Sequence, residues 1–131
     1  MLASNALTAC IEWPQIPDKK FSGHSANPMI RPGAVVAFVH KGKTRPAIVV
    51  RLLDDGARIA CAGSTRPPFG DQEQEAILIE SNSRDGRRLR LSADTWFKKS
   101  FTVVIRSQAE LTLWTPATCP SWLLMKLDEF L

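Results

Sequence analysis

Thr44-Arg45-Pro46-Ala47-Ile48-Val49-Val50 decides the fold, because it sets one cation and one proline at the mouth of the most β-prone run in this 131-residue chain. Ile48, Val49 and Val50, followed by Leu52 and Leu53, read as a strand buried on both faces, as a continuous β-branched run does. Pro46 has no amide proton for the ladder, so it belongs at the first residue of that strand, and it keeps Arg45 extended rather than helical. Arg45 is therefore expected at the edge of a rigid strand, aimed by the backbone. The plainer alternative is a surface arginine that only precedes a strand.

Working outward, Ala34 to Val39 is β-branched and aromatic and predicts the first core strand. His40-Lys41-Gly42-Lys43-Thr44 is a tight, very basic connection centred on Gly42, and Arg45 to Leu53 is the second strand. Asp54-Asp55-Gly56 is a hairpin turn, followed by a third strand over Ala57 to Ala62 with Ile59 and Cys61 on one face and Arg58 on the other. Glycines and prolines make Gly63 to Gly70 a loop, with Asp71 to Glu75 as its acidic continuation. Ala76 to Glu80 predicts a fourth strand and Ser81 to Gly86 a polar turn. The alternation Arg87-Arg88-Leu89-Arg90-Leu91 predicts a half-buried strand, and Asp94 or Ser92 a cap for a helical turn through Trp96, Phe97 and Lys98. Phe101 to Ile105 is the last clear strand. Such a series argues for a mainly β protein, a small antiparallel barrel or sandwich. Beyond Pro120, which suits a first helical position, Leu123, Leu124, Leu127, Phe130 and Leu131 recur on one face of an amphipathic C-terminal helix. Residues 1–27 have no sustained period and read as an irregular extension, so the domain proper is 28–131.

The length suits one domain, large enough to bury roughly two thirds of its unfolded surface. With 44% apolar and 23% charged residues the chain is an ordinary globular composition. No apolar run reaches bilayer length, and the first 16 residues lack the pattern of a secretory signal, so neither a membrane nor export is expected and the cytoplasm is the expected compartment. Cys10, Cys61 and Cys119 are odd in number and widely spaced, which predicts reduced thiols, with Cys61 buried in a strand. Net charge is +4, but between Arg31 and Arg106 there are 14 basic and 8 acidic residues. An excess of that kind attracts nucleic acid or an acidic polypeptide, unless it only keeps the surface solvated.

If the second and third strands are hairpin neighbours, Arg45 and Ser64-Thr65-Arg66 fall at the same end of the sheet, beside His40, Lys41 and Lys43. Cations and hydroxyls on one rim suit a phosphate, and no carboxylate pair or metal-ligand cluster competes, so no metal or other cofactor is expected. RNA fits best. Its 2′-hydroxyl attacks the adjoining phosphate without a metal once acid-base groups and a stabiliser of the developing charge are supplied. Trp96, Phe97 and Phe69 are candidates for stacking on unpaired bases, with core packing as the alternative.

Pro32-Gly33-Ala34-Val35-Val36, then the Thr44 to Val50 strand, then Gly63-Ser64-Thr65, resemble in that order the PemK/MazF family of toxin endoribonucleases. The resemblance spans about Pro32 to Leu111. It implies an SH3-like barrel, a homodimer, cleavage of single-stranded RNA without metal, and neutralisation by a co-expressed acidic antitoxin. On that pattern Arg45 serves acid-base catalysis and charge stabilisation, and Ser64 or Thr65 holds the scissile phosphate. His40, Lys41, Lys43, Arg66, Trp96 and Lys98 are the expected substrate contacts. A non-catalytic SH3-like module that binds nucleic acid or an acidic partner protein through the same rim is the second expectation.

Overall fold

The computed structural model describes residues 11–12, 30–68, 75–107 and 109–130. Among these residues nine elements follow in order: β1 (Ile11–Glu12), β2 (Val35–His40), β3 (Lys43–Leu52), β4 (Arg58–Ser64), β5 (Ala76–Ile79), α1 (Arg84–Arg88), β6 (Thr95–Ile105), β7 (Leu113–Thr115) and α2 (Ser121–Glu129). The strands form one sheet in the order β1-β6-β4-β3-β2-β7, with β5 also on β6. All pairings are antiparallel except β1 with β6. The protein is thus mainly β with a C-terminal helix, as the strand series predicts. The sheet stays open rather than closing into a barrel. Its two ends are the two-residue β1 and the three-residue β7, which do not pair with each other.

Pro46 to Val50 are all buried, as the β-branched run predicts. Alternation then splits the centre of the sheet into two cores. Val36, Phe38, Ala47, Val49, Ala60, Ala62, Val103 and Ile105 pack on one face. Val35, Ile48, Val50, Cys61 and Phe97 pack on the other, beneath Leu123 and Leu127 of α2 and beneath Leu89 and Leu91. Leu124 and Phe130 add to that second core, so the apolar stripe of the tail does close over the sheet. Pro120 stands at the cap position, one residue earlier than expected.

Pro46 also sits differently: β3 begins at Lys43, and Pro46 pairs with Ala37 inside the hairpin. A hairpin with the two-residue loop Lys41-Gly42 makes His40–Lys43 and Phe38–Arg45 the hydrogen-bonded pairs, so the nitrogen of Pro46 faces away from β2. It points toward β4, where pairing begins only at Ala47–Ala62. The missing donor therefore leaves no gap in a ladder. Lys41 and Gly42 have φ of 53° and 76°, the left-handed pair that such a turn requires.

Two local expectations are corrected. Arg87 to Leu91 is not a strand: α1 forms instead because Ser83 caps it, its Oγ accepting from the Gly86 amide at 2.9 Å, with Asp85 in the first turn. The alternation that suggests a strand comes from Arg90, whose φ of 57° swings Leu91 back into the core beside Leu89. The predicted helical turn through Trp96 to Lys98 is likewise strand, the first part of β6, held by Ser64, Leu78 and their neighbours on both sides. Cross-strand pairing wins there over a lone cap signal.

Candidate functional site

Pairing of β3 with β4 runs from Leu52–Arg58 to Ala47–Ala62, and its continuation by two residues sets Arg45 opposite Ser64. Gly63 and Ser64 are the last two residues of β4 rather than the start of a loop. A groove of about 530 Å3 opens at this end of the sheet, lined by His40, Lys41, Lys43, Arg45, Ser64, Thr65 and Arg66 over Phe38, Ala62, Phe101 and Val103. Seven of the nine residues expected at the site are therefore in one concavity. No carboxylate lines it among the described residues.

Arg45 is the half-buried member. Its guanidinium carbon lies 5.6 Å from the centre of the Phe101 ring, and its Nε is buried with no hydrogen-bond partner. An unpaired buried donor costs about 1 to 3 kcal/mol, so this nitrogen is set to receive an acceptor brought by a ligand. Among the described residues no carboxylate pairs with Arg45; the exposed ion pairs Arg51–Asp128 and Lys99–Glu75 lie elsewhere. Ser64 is buried and its Oγ accepts from the Arg66 amide at 3.1 Å, which ties the turn down beside the exposed Thr65, a residue of the groove lining. His40 stacks on Phe38, with ring centres 6.0 Å apart and planes 12° from parallel.

Lys98 and Phe101 reach this region through a bulge. Between the pairs Cys61–Thr102 and Gly63–Phe97, β4 contributes only Ala62, whereas β6 contributes the four residues from Lys98 to Phe101. Such insertions re-aim side chains and gather beside functional sites. Lys98 is buried with its Nζ 4.6 Å from the Phe101 ring centre, so one aromatic ring carries both cations. Lys98 stands behind the groove wall rather than in its lining. Trp96 lines neither this groove nor its neighbour, and Phe97 is fully buried core and not a stacking surface. Phe69 lies outside the described residues.

Sequence reasoning overlooks Phe38 and Phe101, which form the apolar floor, and it reads Gly63 as a loop and motif residue without its packing role. A Cβ there would stand 2.5 Å from Thr95 Cγ2 and 3.2 Å from Phe97 Cε1, so only glycine lets β4 approach β6 this closely beside Ser64. The Gly-Ser-Thr order was the available signal.

The bulge is fastened by Cys61, whose thiol donates to the Lys98 carbonyl at 3.3 Å. Burial pushes the Cys61 thiol up to about 12 and, with a smaller opposing effect of Arg88, the Cys119 thiol up to about 11. Both are then protonated in the fold where an unfolded thiol, near 9, is already ionising. The unfolded chain binds fewer protons above that point, so stability is retained below about pH 9 and falls as pH rises toward 11 to 12. A Cys10→Ser variant is accordingly expected to resist a thiol-modifying disulfide reagent at pH 8 when folded, and to yield both thiols at once in denaturant.

Among the described residues, no group of three or more His, Cys, Asp or Glu is placed to hold a metal ion. No helix there is long and apolar enough to cross a membrane. No protein-family model matches the chain, and no curated protein matches it.

Proposed function

We propose that the groove binds single-stranded RNA and cleaves it by transphosphorylation without a metal, in the manner of the toxin endoribonucleases that Pro32 to Val36, Thr44 to Val50 and Gly63 to Thr65 resemble. The observation that carries this reading is the placement of the Arg45 guanidinium, its Nε unsatisfied, across from Ser64 in a cationic groove that none of the described carboxylates lines. A phosphodiester seated there would give Arg45 its missing acceptor and would take a hydrogen bond from Thr65. Lys41, Lys43 and Arg66 would track the neighbouring phosphates.

In the reaction the 2′-oxygen forms a bond to phosphorus while the bond to the 5′-oxygen breaks. The 2′-hydroxyl loses a proton to a base and the departing 5′-oxygen gains one. The products are a 2′,3′-cyclic phosphate and a 5′-hydroxyl. Arg45 stabilises the charge that builds on the non-bridging oxygens. A guanidinium surrenders its proton with difficulty, so His40, on the same groove wall, is the better carrier of protons. The acidic antitoxin fits the same reading: a carboxylate-rich segment laid in this groove would meet the acceptor-hungry Arg45 and exclude RNA. So do a homodimer and a cytoplasmic setting, which come with the resemblance.

Purified protein is expected to cut a mixed-sequence single-stranded RNA in EDTA and to leave cyclic phosphate ends, detected by resistance to a 3′-end ligation that phosphatase and end repair restore. Tight binding without any cut across the RNA pool would instead assign the groove to a binding module.

A further inference from the structure

A second cavity, of about 150 Å3, opens on the other side of the Arg45–Ser64 pair. It shares Lys43, Arg45, Ser64 and Thr65 with the groove, but its remaining walls are Thr44, Pro46, Gly63, Leu91, Ser92, Ala93, Thr95 and Trp114. The two hollows thus straddle one lip, and among the described residues only that shared lip carries charge in the smaller one.

Its walls are set in advance. Trp114 Nε1 donates to the Leu89 carbonyl at 2.9 Å, which fixes the indole, and Thr95 Oγ1 donates to the Ala93 carbonyl at 2.8 Å. Leu91 is buried against the same core. Ser92 and Thr44 remain exposed at the mouth as neutral hydrogen-bonding groups. A neutral, planar, partly polar guest suits such walls, provided that it brings an anion to the lip. Size narrows the choice, since an apolar cavity of roughly 150 Å3 holds a single benzene ring. One six-membered ring fills that volume, whereas the fused rings of a purine would have to project from its open mouth.

From this we propose that the smaller cavity is a pyrimidine subsite, seating against Trp114 the base that adjoins the phosphate held by Arg45 and Ser64. The proposal rests on the endoribonuclease reading and names the substrate step: a uridine or cytidine lies next to the cut. The strand runs along the basic groove, turns over the lip with its phosphate on the guanidinium, and drops one base behind it. Base stacking on an indole supports that arrangement.

Pentanucleotides methylated at every 2′-oxygen test it, because they cannot be cleaved and so separate binding from chemistry. A strand of adenosines with one central uridine is expected to bind at least tenfold more tightly than the all-adenosine strand. Only the uridine strand should move the indole N–H signal of Trp114 in a heteronuclear NMR titration, the signal being assigned with Trp114→Phe. Ala93→Trp and, independently, Ser92→Trp fill the mouth from exposed positions and are expected to erase the preference while the melting temperature holds. Equal affinity for the two strands, an unmoved Trp114 signal, or no binding of either strand overturns the subsite. Unmethylated RNA cut with no base preference would refute the subsite and leave the nuclease standing. Uridine-selective binding with unmethylated RNA uncut would do the reverse.

Discussion

Arg45→Ala is expected to lower the rate of RNA cleavage by about 10²- to 10³-fold or more, as loss of a donor to developing charge does elsewhere. The melting temperature should move by only a few degrees, which corresponds to about 1 kcal/mol for a domain of this size. Two opposing effects make the stability change small. The variant loses the contact of the guanidinium with Phe101 but also removes a buried Nε that has no partner. Among the described residues no carboxylate is orphaned by the change, so no buried charge is left behind. Arg45→Lys keeps the charge but not the fork that grips a phosphate, and is expected to recover little activity. A variant that unfolds, or one that still cuts at the wild-type rate, would show that Arg45 serves the fold rather than the chemistry.

Gly86→Ala should be the most damaging single methyl group in the described chain. A Cβ at this position runs into the Glu80 carbonyl oxygen and lies 2.8 Å from the Ser81 carbonyl carbon and Cα. All are backbone atoms, which cannot turn aside as a side chain does. The glycine also ties α1 together, donating to Ser83 Oγ and accepting from the Leu91 amide at 3.0 Å. Making room would therefore pull the end of β5 from the helix and unseat Leu89 and Leu91. The expected loss is about 3 kcal/mol or more, at the upper end for overpacking, read as a lowered urea midpoint with an unchanged slope. A shift below roughly 0.5 kcal/mol, the range of surface substitutions, would mean that the turn is loose.

How much of this was legible in the sequence depends on whether the governing force was local. The β2–β3–β4 hairpins were, because Gly42 and Gly56 mark turns and a β-branched run with both faces apolar has one natural home. The convergence of Arg45 with Ser64 and Thr65 followed from the same hairpins. The α2 helix was legible from its stripe. What escaped depends on partners distant in sequence. The Lys98 to Phe101 bulge exists because β6 must match β4 at both ends and β5 at one, and no window of residues carries that constraint. Trp114 and Leu91 meet behind the lip only through β7 and the segment that follows α1, so the smaller cavity had no signature. The open sheet arose in the same way: β5 and β1 occupy the free edge of β6, while β7 occupies that of β2, leaving no pair of long edges to join.

The Lys41-Gly42 turn also limits how this protein can change over generations. Strand side chains alternate and the core holds Ala47 and Val49 in place, so one residue added between Arg45 and Ala47 would send the guanidinium through the sheet into the company of Val35 and Ile48. One added at the turn itself leaves the strand phase intact. Descendants are therefore free to lengthen the basic tip, and with it the reach toward a target, whereas the spacing from Arg45 to Ala47 is locked.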